Sequence, residues 1–309
     1  MASNVFVTPA QEPQSRKAVL IVNTKSRRGR EWKGECQRIL TGLGIDLEHT
    51  DTFRTIQELV SETSRAISRK VPLIIAGGGD GTFSAIARLF VGSQSVLGVL
   101  PLGTGNQFAR DLGIPADPQT ACEIAVRGKV ASVDMGMAAG DYFLNVATVG
   151  VSTLIAQNLT VESKRKFGRF VYAFALANAL RVVKPFIATL ETDNGMVEFE
   201  TLQVVIGNGR YHAGPFAISP DASITEGKLS IYALKSGSRG AFLKLGLYLP
   251  TGHQGDMPEV HSEEATRGVL TAIKPQRVTI DGEVCARTPL TFGIAPDCLR
   301  VMAPLDFAG

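Results

Sequence analysis

Two glycine-rich turns lie close together in this chain, and each follows a short apolar run. Gly77-Gly78-Gly79-Asp80-Gly81-Thr82 follows Val71-Pro72-Leu73-Ile74-Ile75-Ala76, and Pro101-Leu102-Gly103-Thr104-Gly105-Asn106 follows Val96-Leu97-Gly98-Val99-Leu100. Runs of this kind read as buried strands, so two strand ends present amide-rich turns to one edge of a sheet. Glycine lets the backbone approach a ligand closely, and bare N–H groups at a helix N-terminus favour an anion. The pair therefore predicts a polyphosphate cradle. It is not a Walker A loop, because no Gly-Lys-Ser/Thr follows, and it lacks the Gly-x-Gly-x-x-Gly dinucleotide spacing.

The surrounding pattern fits a parallel α/β sheet. Ala18–Val22 reads as a buried strand that ends in the polar turn Asn23–Gly29. A helical stretch over 31–43, a strand over Ile45–Thr50 and a helix over Thr55–Ser68 follow, with Ile56, Leu59, Val60 and Ile67 expected on one stripe. A further helix, Phe83–Phe90, separates the two glycine turns. Such alternation gives right-handed crossovers, with ligands beyond the carboxyl ends of the strands. Past Asp134 the pattern changes to strand-like runs at Tyr142–Thr148, Phe186–Thr192, Thr201–Gly207, Lys228–Leu234, Arg277–Asp281 and Leu290–Gly293. These predict an all-β second half, an antiparallel sandwich or barrel, interrupted by a helical insert around 160–184. Residues 250–265 read as a mobile loop that would border the ligand site. The predicted organisation is a flexible tail over 1–16, a Rossmann-like nucleotide domain over 17–137 and a β-rich domain over 138–297.

Composition narrows the class. A net charge of +3 over 309 residues argues against nucleic acid. Cys36, Cys122, Cys285 and Cys298 are scattered with no C-x-x-C spacing, which argues against zinc and fits a reducing cytosol. The polar stretch Met1–Lys17 lacks the apolar core of a signal peptide, and the insert is too short and polar to span a bilayer. The expected location is cytoplasmic, and the basic start of the insert, Lys164–Arg169, suits peripheral contact at the inner membrane surface.

GGGDGT followed by PLGTGN resembles the diacylglycerol kinase catalytic domain, as found in bacterial lipid kinases and sphingosine kinases. The resemblance continues through Asn23-Thr24-Lys25-Ser26, Ile206–Tyr211, Ile218–Ala222, Glu226-Gly227-Lys228-Leu229 and Asp281-Gly282-Glu283. It implies ATP- and Mg²⁺-dependent phosphoryl transfer to a lipid hydroxyl. It also implies that the final strand, near Leu299–Ala303, returns with 298–309 to the first domain. The nucleotide would meet Asn23, Thr52, Gly78, Gly79, Asp80, Gly81, Thr82, Phe83, Ser84, Ala85, Gly103, Thr104 and Asn106. Asp134 corresponds to an aspartate near nucleotide-bound Mg²⁺. Ser223, Glu226 and the backbone of Lys228 map onto a second, structural metal turn.

For the catalytic base the residue of choice is Glu283, with Asp281 beside it and Asp80 as a third acid. In an extended segment Asp281 and Glu283 share a face; a bend at Gly282 makes them diverge. Two nearby carboxylates raise one pKa, which suits general-base work.

The chain departs from the family pattern at several points. Phe83-Ser84-Ala85 stands where the family has an apolar residue, Asn and Glu; Gln107 replaces Asp, Ala213-Gly214-Pro215 replaces a glycine triplet, and Glu226 replaces Asp. These bear on efficiency and acceptor more than on fold. In the insert, Lys164, Arg165, Lys166 and Arg169 precede an aromatic stripe of Phe167, Phe170, Val171 and Phe174, a pattern suited either to a transient membrane contact or to core packing. Two other readings stay open at this stage: another GGDGT kinase such as an NAD kinase, and a weakly active nucleotide- or lipid-binding protein.

Overall fold

The computed structural model describes residues 17–25, 28–158, 170–212, 216–219 and 222–309. The first half alternates β1 (Lys17–Asn23), α1 (Gly29–Gly42), β2 (Asp46–Phe53), α2 (Ile56–Ser68), β3 (Leu73–Gly78), α3 (Asp80–Ala87), β4 (Val96–Pro101), α4 (Gln107–Asp111) and α5 (Pro118–Arg127). Local chemistry sets several boundaries. Thr55 and Glu58 form a reciprocal capping box that starts α2, and Asp117 caps α5 with Pro118 in its first turn. The strands pair in parallel in the order β2-β1-β3-β4. Leu20, Ile21, Ile74, Ile75, Leu97 and Val99 form the core between this sheet and its helices.

The second half begins with β5 (Lys129–Ala138), β6 (Asp141–Phe143), β7 (Val146–Gly150), α6 (Val151–Asn158) and α7 (Phe170–Val182). It continues with β8 (Phe186–Thr192), β9 (Gly195–Thr201), β10 (Gln203–Gly207), β11 (Tyr211–His212), β12 (Phe216–Ala217) and β13 (Leu229–Leu234). The chain ends with α8 (Arg239–Tyr248), β14 (Val260–Ala265), β15 (Arg267–Ala272), β16 (Arg277–Ile280), β17 (Glu283–Arg287) and β18 (Leu290–Ala303). An antiparallel six-stranded sheet runs β14-β13-β10-β7-β16-β17. It faces β8, β9, β15 and the first part of β18 across a core that includes Phe186, Leu190, Phe199, Ile206, Ile231 and Phe292. Its other face carries α6, α7 and α8.

Strand β18 ties the halves together. Its early residues pair with β15, and later Val301 pairs in parallel with Leu97 of β4. It runs antiparallel to β5 for most of its length, with an irregularity between Ala295 and Leu299. The sheet is therefore continuous from β2 to β9.

Several elements differ from the sequence expectation. Tyr142–Thr148 is not one strand: β6 belongs to the first sheet and β7 to the second. Thr201–Gly207 likewise divides at Leu202 between β9 and β10. Leu290–Gly293 is the start of a strand of 14 residues. The region 250–265 is not a loop throughout, because 260–265 forms edge strand β14 against β13. Ile56 is exposed, so the buried stripe of α2 runs through Leu59, Thr63 and Ala66 instead.

Candidate active site

The carboxyl ends of four parallel strands form one level row. Thr52 pairs with Val22, Val22 with Gly77, and Gly77 with Leu100. The strand order reverses between β1 and β3, the position where open α/β sheets bind ligands. Asn23 bridges that crevice: its Nδ2 donates to Thr82 Oγ1 at 3.1 Å, and its Oδ1 accepts from the Lys25 amide at 3.0 Å.

The two glycine turns abut. A Cβ on Gly103 would sit 2.5 Å from Gly79 Cα, and one on Gly105 2.7 Å from Asp80 Oδ2. Only glycine permits this approach. Helix α3 begins at Asp80, which limits the cradle. The Thr82 and Phe83 amides already donate to Gly79 O, and Ser84 and Ala85 lie inside the helix. Among the described residues, the Gly79, Asp80 and Gly81 amides have no acceptor, so the open donors are fewer than the Gly78–Ala85 run expected to meet the nucleotide. The Phe83 side chain is buried in the core near Phe108.

Asp80 fastens the turns to each other. Its Oδ1 accepts from the Gln107 amide at 2.6 Å and the Phe108 amide at 3.3 Å, closing the N-terminus of α4. Burial holds the Asp80 carboxyl above its ordinary value, with the Asp281 charge adding to the shift, despite the opposing amides of Gln107, Phe108 and Asn106. Asn106, in the left-handed region at φ 50°, shapes the second turn by accepting from the Gly103 amide at 2.9 Å. Thr104 is exposed at its tip.

Asp281 and Gly282 form the two-residue turn between β16 and β17, with φ values of 45° and 90°. Both being positive is the mark of a hairpin turn that favours Asp-Gly. The bend separates Asp281 from Glu283, which opens β17. Asp281 is saturated: Oδ2 accepts from Ser84 Oγ at 2.6 Å and the Leu144 amide at 2.8 Å. Its Oδ1 accepts from the Asn145 and Val146 amides at 2.9 and 3.0 Å. These bonds turn the chain from β6 into β7 and pin the hairpin to α3. Ser84, a departure from the family pattern, thus supplies the contact from the nucleotide side. Glu283 is exposed and accepts no hydrogen bond among the described residues.

Asp134 lies in the middle of β5 and is 2% exposed. Its Oδ2 accepts from the Gly227 amide at 2.7 Å and its Oδ1 from the Asp297 amide at 2.8 Å. The structure thereby brings Asp134 against the turn that carries Ser223, Glu226 and Lys228, joining two metal assignments that the sequence kept apart. Ser223 Oγ lies 3.0 Å from Thr225 Oγ1, Glu226 is exposed, and Lys228 Nζ pairs with Glu264 at 3.2 Å. No cluster of three His, Cys, Asp or Glu with metal-binding geometry occurs among the described residues. The donors at this turn are nonetheless all oxygen, the set that Mg²⁺ takes.

Sequence reasoning missed three polar residues here. Asn208 Nδ2 donates to Asp134 O at 2.9 Å and Leu144 O at 3.0 Å, linking the Asp134–Gly227 contact to the Asp281 clamp. Asp297 contributes its amide from the irregularity in β18. Asp111 accepts from the Arg210 amide at 3.1 Å while its Oδ2 is buried without a partner among the described residues. Burial pushes the Asp111 carboxyl up to about 7. Only Asn208 lay within a motif visible in the sequence. The tail 1–16, Ser26, the basic cluster Lys164–Arg169 with Phe167, Ala213–Pro215, Pro220 and Asp221 fall outside the described residues.

Both halves of the chain resemble known proteins. Residues 17–138 match the diacylglycerol kinase catalytic domain, and residues 145–303 match the YegS C-terminal NAD kinase beta sandwich-like domain. A relative from Klebsiella pneumoniae (strain 342), named "Probable lipid kinase YegS-like", is 28% identical over 298 residues, covering 94% of this chain and 96% of its own. A "Diacylglycerol kinase" from Bacillus subtilis (strain 168) is 26% identical over 246 residues, covering 79% and 81%. A crystal structure of "a putative diacylglycerol kinase from Bacillus anthracis str. Sterne" superposes with a TM-score of 0.82 at 25% identity, covering 98% of this chain and 100% of that one. Both halves of the chain, in order and nearly end to end, thus match one architecture, and the chain belongs to the diacylglycerol kinase and YegS-like lipid kinase family.

Proposed function

We propose that this lipid kinase transfers the γ-phosphoryl group of ATP to the hydroxyl of a diacylglycerol-like lipid, with Mg²⁺. The observation that carries the reading is the Asp281 clamp. It fixes the hairpin that bears Glu283 against α3, the helix whose N-terminus offers open amides. Phosphoryl transfer depends chiefly on positioning and charge stabilisation, and this arrangement supplies both from rigid elements.

The Gly79, Asp80 and Gly81 amides receive phosphate oxygens, with Thr104 at the facing turn and Asn23 and Thr52 at adjoining strand ends. Asp80 keeps the two turns together. Asp281 holds the hairpin, because four donors occupy its carboxylate. Glu283, with its carboxylate unoccupied, takes the proton of the attacking hydroxyl. Ser223, Glu226 and the Lys228 carbonyl are the oxygen donors that would hold a second, structural ion, and Asp134 is the carboxylate that would stand near nucleotide-bound Mg²⁺. When bound, the ion neutralises developing phosphate charge.

The test is transfer of radiolabel from the γ-position of ATP, with Mg²⁺, to diacylglycerol in mixed micelles, with NAD⁺ as a competing acceptor. Organic-soluble label that Glu283→Ala reduces at least about a hundred-fold fits general-base loss. Label on NAD⁺ alone, or full activity in Glu283→Ala, would overturn the assignment.

A further inference from the structure

Two helices on the outer face of the six-stranded sheet share an unusual surface. Neither α7 nor α8 contains an acidic residue. Each buries one stripe, Ala175, Ala179 and Leu180 on α7 and Phe242 and Leu245 on α8, in the core beneath Val205, Tyr232 and Leu234. The outward faces remain apolar: Phe174 is 75% exposed, Val182 52%, Leu243 57% and Leu247 78%.

The C-terminus of α7 meets the N-terminus of α8. Phe174 and Arg181, seven residues apart, share a face of α7. Arg239, Leu243 and Leu247 follow i, i+4, i+8 spacing on α8. The helices meet where Arg239 Nη2 donates to Arg181 O at 3.4 Å. Exposed Lys184 follows α7 and exposed Lys235 precedes α8. Lys244 of α8 pairs with Glu259 at 3.2 Å, and neither helix itself carries an acid. Large exposed apolar groups bordered by cations are the marks of an interfacial helix surface. A second copy of the chain is a poorer occupant, because a two-fold contact would set the same arginines against each other.

We propose that the α7–α8 face docks on an anionic lipid bilayer, with Phe174, Leu243 and Leu247 entering the headgroup–acyl boundary and Arg181, Arg239 and Lys184 meeting lipid phosphates. The proposal rests on the lipid-kinase reading, since the acyl chains of the acceptor keep it in a membrane. None of the described helices is long and apolar enough to cross one.

The test is flotation of the full chain with vesicles of phosphatidylcholine alone or mixed with phosphatidylglycerol. The wild type floats with the anionic vesicles, and added salt weakens binding. Leu243→Gln with Leu247→Gln lowers partitioning by about ten-fold per leucine, with an unchanged thermal melt. Arg181→Gln with Lys184→Gln lowers it by about five-fold per cation. Failure of the wild type to float overturns the proposal, as does wild-type flotation of the leucine variant. A wild-type dimer that this variant renders monomeric also overturns it.

Turnover separates the two readings. The leucine variant should match wild type on a dispersed short-chain diacylglycerol and fall behind on vesicles. Flotation without phosphoryl transfer would refute the lipid-kinase reading and leave the docking; transfer from vesicles without flotation would refute the docking alone.

Discussion

Replacing Asp281 with Asn tests whether its carboxylate organises the junction between the two halves. The carboxylate serves Ser84 Oγ and the amides of Leu144, Asn145 and Val146 at 2.6–3.0 Å. Asn retains one acceptor oxygen. Whichever way its amide turns, two donors lose their acceptor and face an NH₂ group. Asn tolerates the positive φ of this position, so the turn itself is not the casualty. Hydrogen bonds to a charged group contribute about 1.5–3 kcal/mol each, so with part of the site open to water the loss should be about 2–4 kcal/mol. That is a large share of a typical total of about 5–15 kcal/mol. Urea titration should show a lower midpoint with an unchanged slope. Ser84→Ala should cost less in the Asp281→Asn background than alone, with a coupling of about 1 kcal/mol. A loss below about 0.5 kcal/mol, well under the expected range, or strict additivity of the two changes would refute the clamp.

Two other perturbations probe neighbouring parts. Gly103→Ala places a Cβ 2.5 Å from Gly79 Cα and 2.8 Å from Asn106 Oδ1, so the turns must separate. ATP affinity measured by calorimetry should fall about ten-fold or more, with ~1.4 kcal/mol per decade. Gly34→Ala, whose Cβ meets nothing within 4 Å on α1, should leave binding unchanged and add roughly 0.5–1 kcal/mol of stability. Burial raises the Asp111 carboxyl to about 7 from 3.8, so the native state keeps a proton that the unfolded chain releases. Stability therefore falls as pH rises through that window and levels off above it. Asp111→Asn should lack this slope. Its advantage over wild type should grow to at most about 4 kcal/mol above the window and vanish below it, as read by denaturation at several pH values. Parallel pH curves would exclude a buried neutral carboxyl.

The parallel half was legible because its signals are local. Apolar runs at β1, β3 and β4, and the Thr55–Glu58 box, need no distant partner. Both glycine turns were readable as a pair for the same reason. Elsewhere distant contacts override local pattern. Nothing in Tyr142–Thr148 announces a break, because the group that bends it is Asp281, 136 residues from Asn145. Strand β14 carries Glu263 and Glu264, and reads as loop until β13 is beside it. The site behaved alike. Residue types and spacings pointed to Asp80, Asp134 and Glu283, but not to how Asp80 caps α4 or to Asp134 binding Gly227, 93 residues on. Nor did the scatter of cysteines reveal that Cys36 on α1 and Cys122 on α5 are both buried on helices that pack together.

Strand β18 also bears on how the chain is made. The edges of β4 and β5 that it covers belong to segments synthesised well before it, since Leu97 finds Val301 and Ala131 finds the same residue. A ribosome releases the glycine turns long before the strand that completes their sheet. Until then β4 offers an unpaired, fully apolar edge, the kind that recruits other chains. The sheet of the first half therefore closes only after β18 has been made. A fragment cut after β5 would carry every residue proposed to meet phosphate and still lack the strand that closes the sheet beside them.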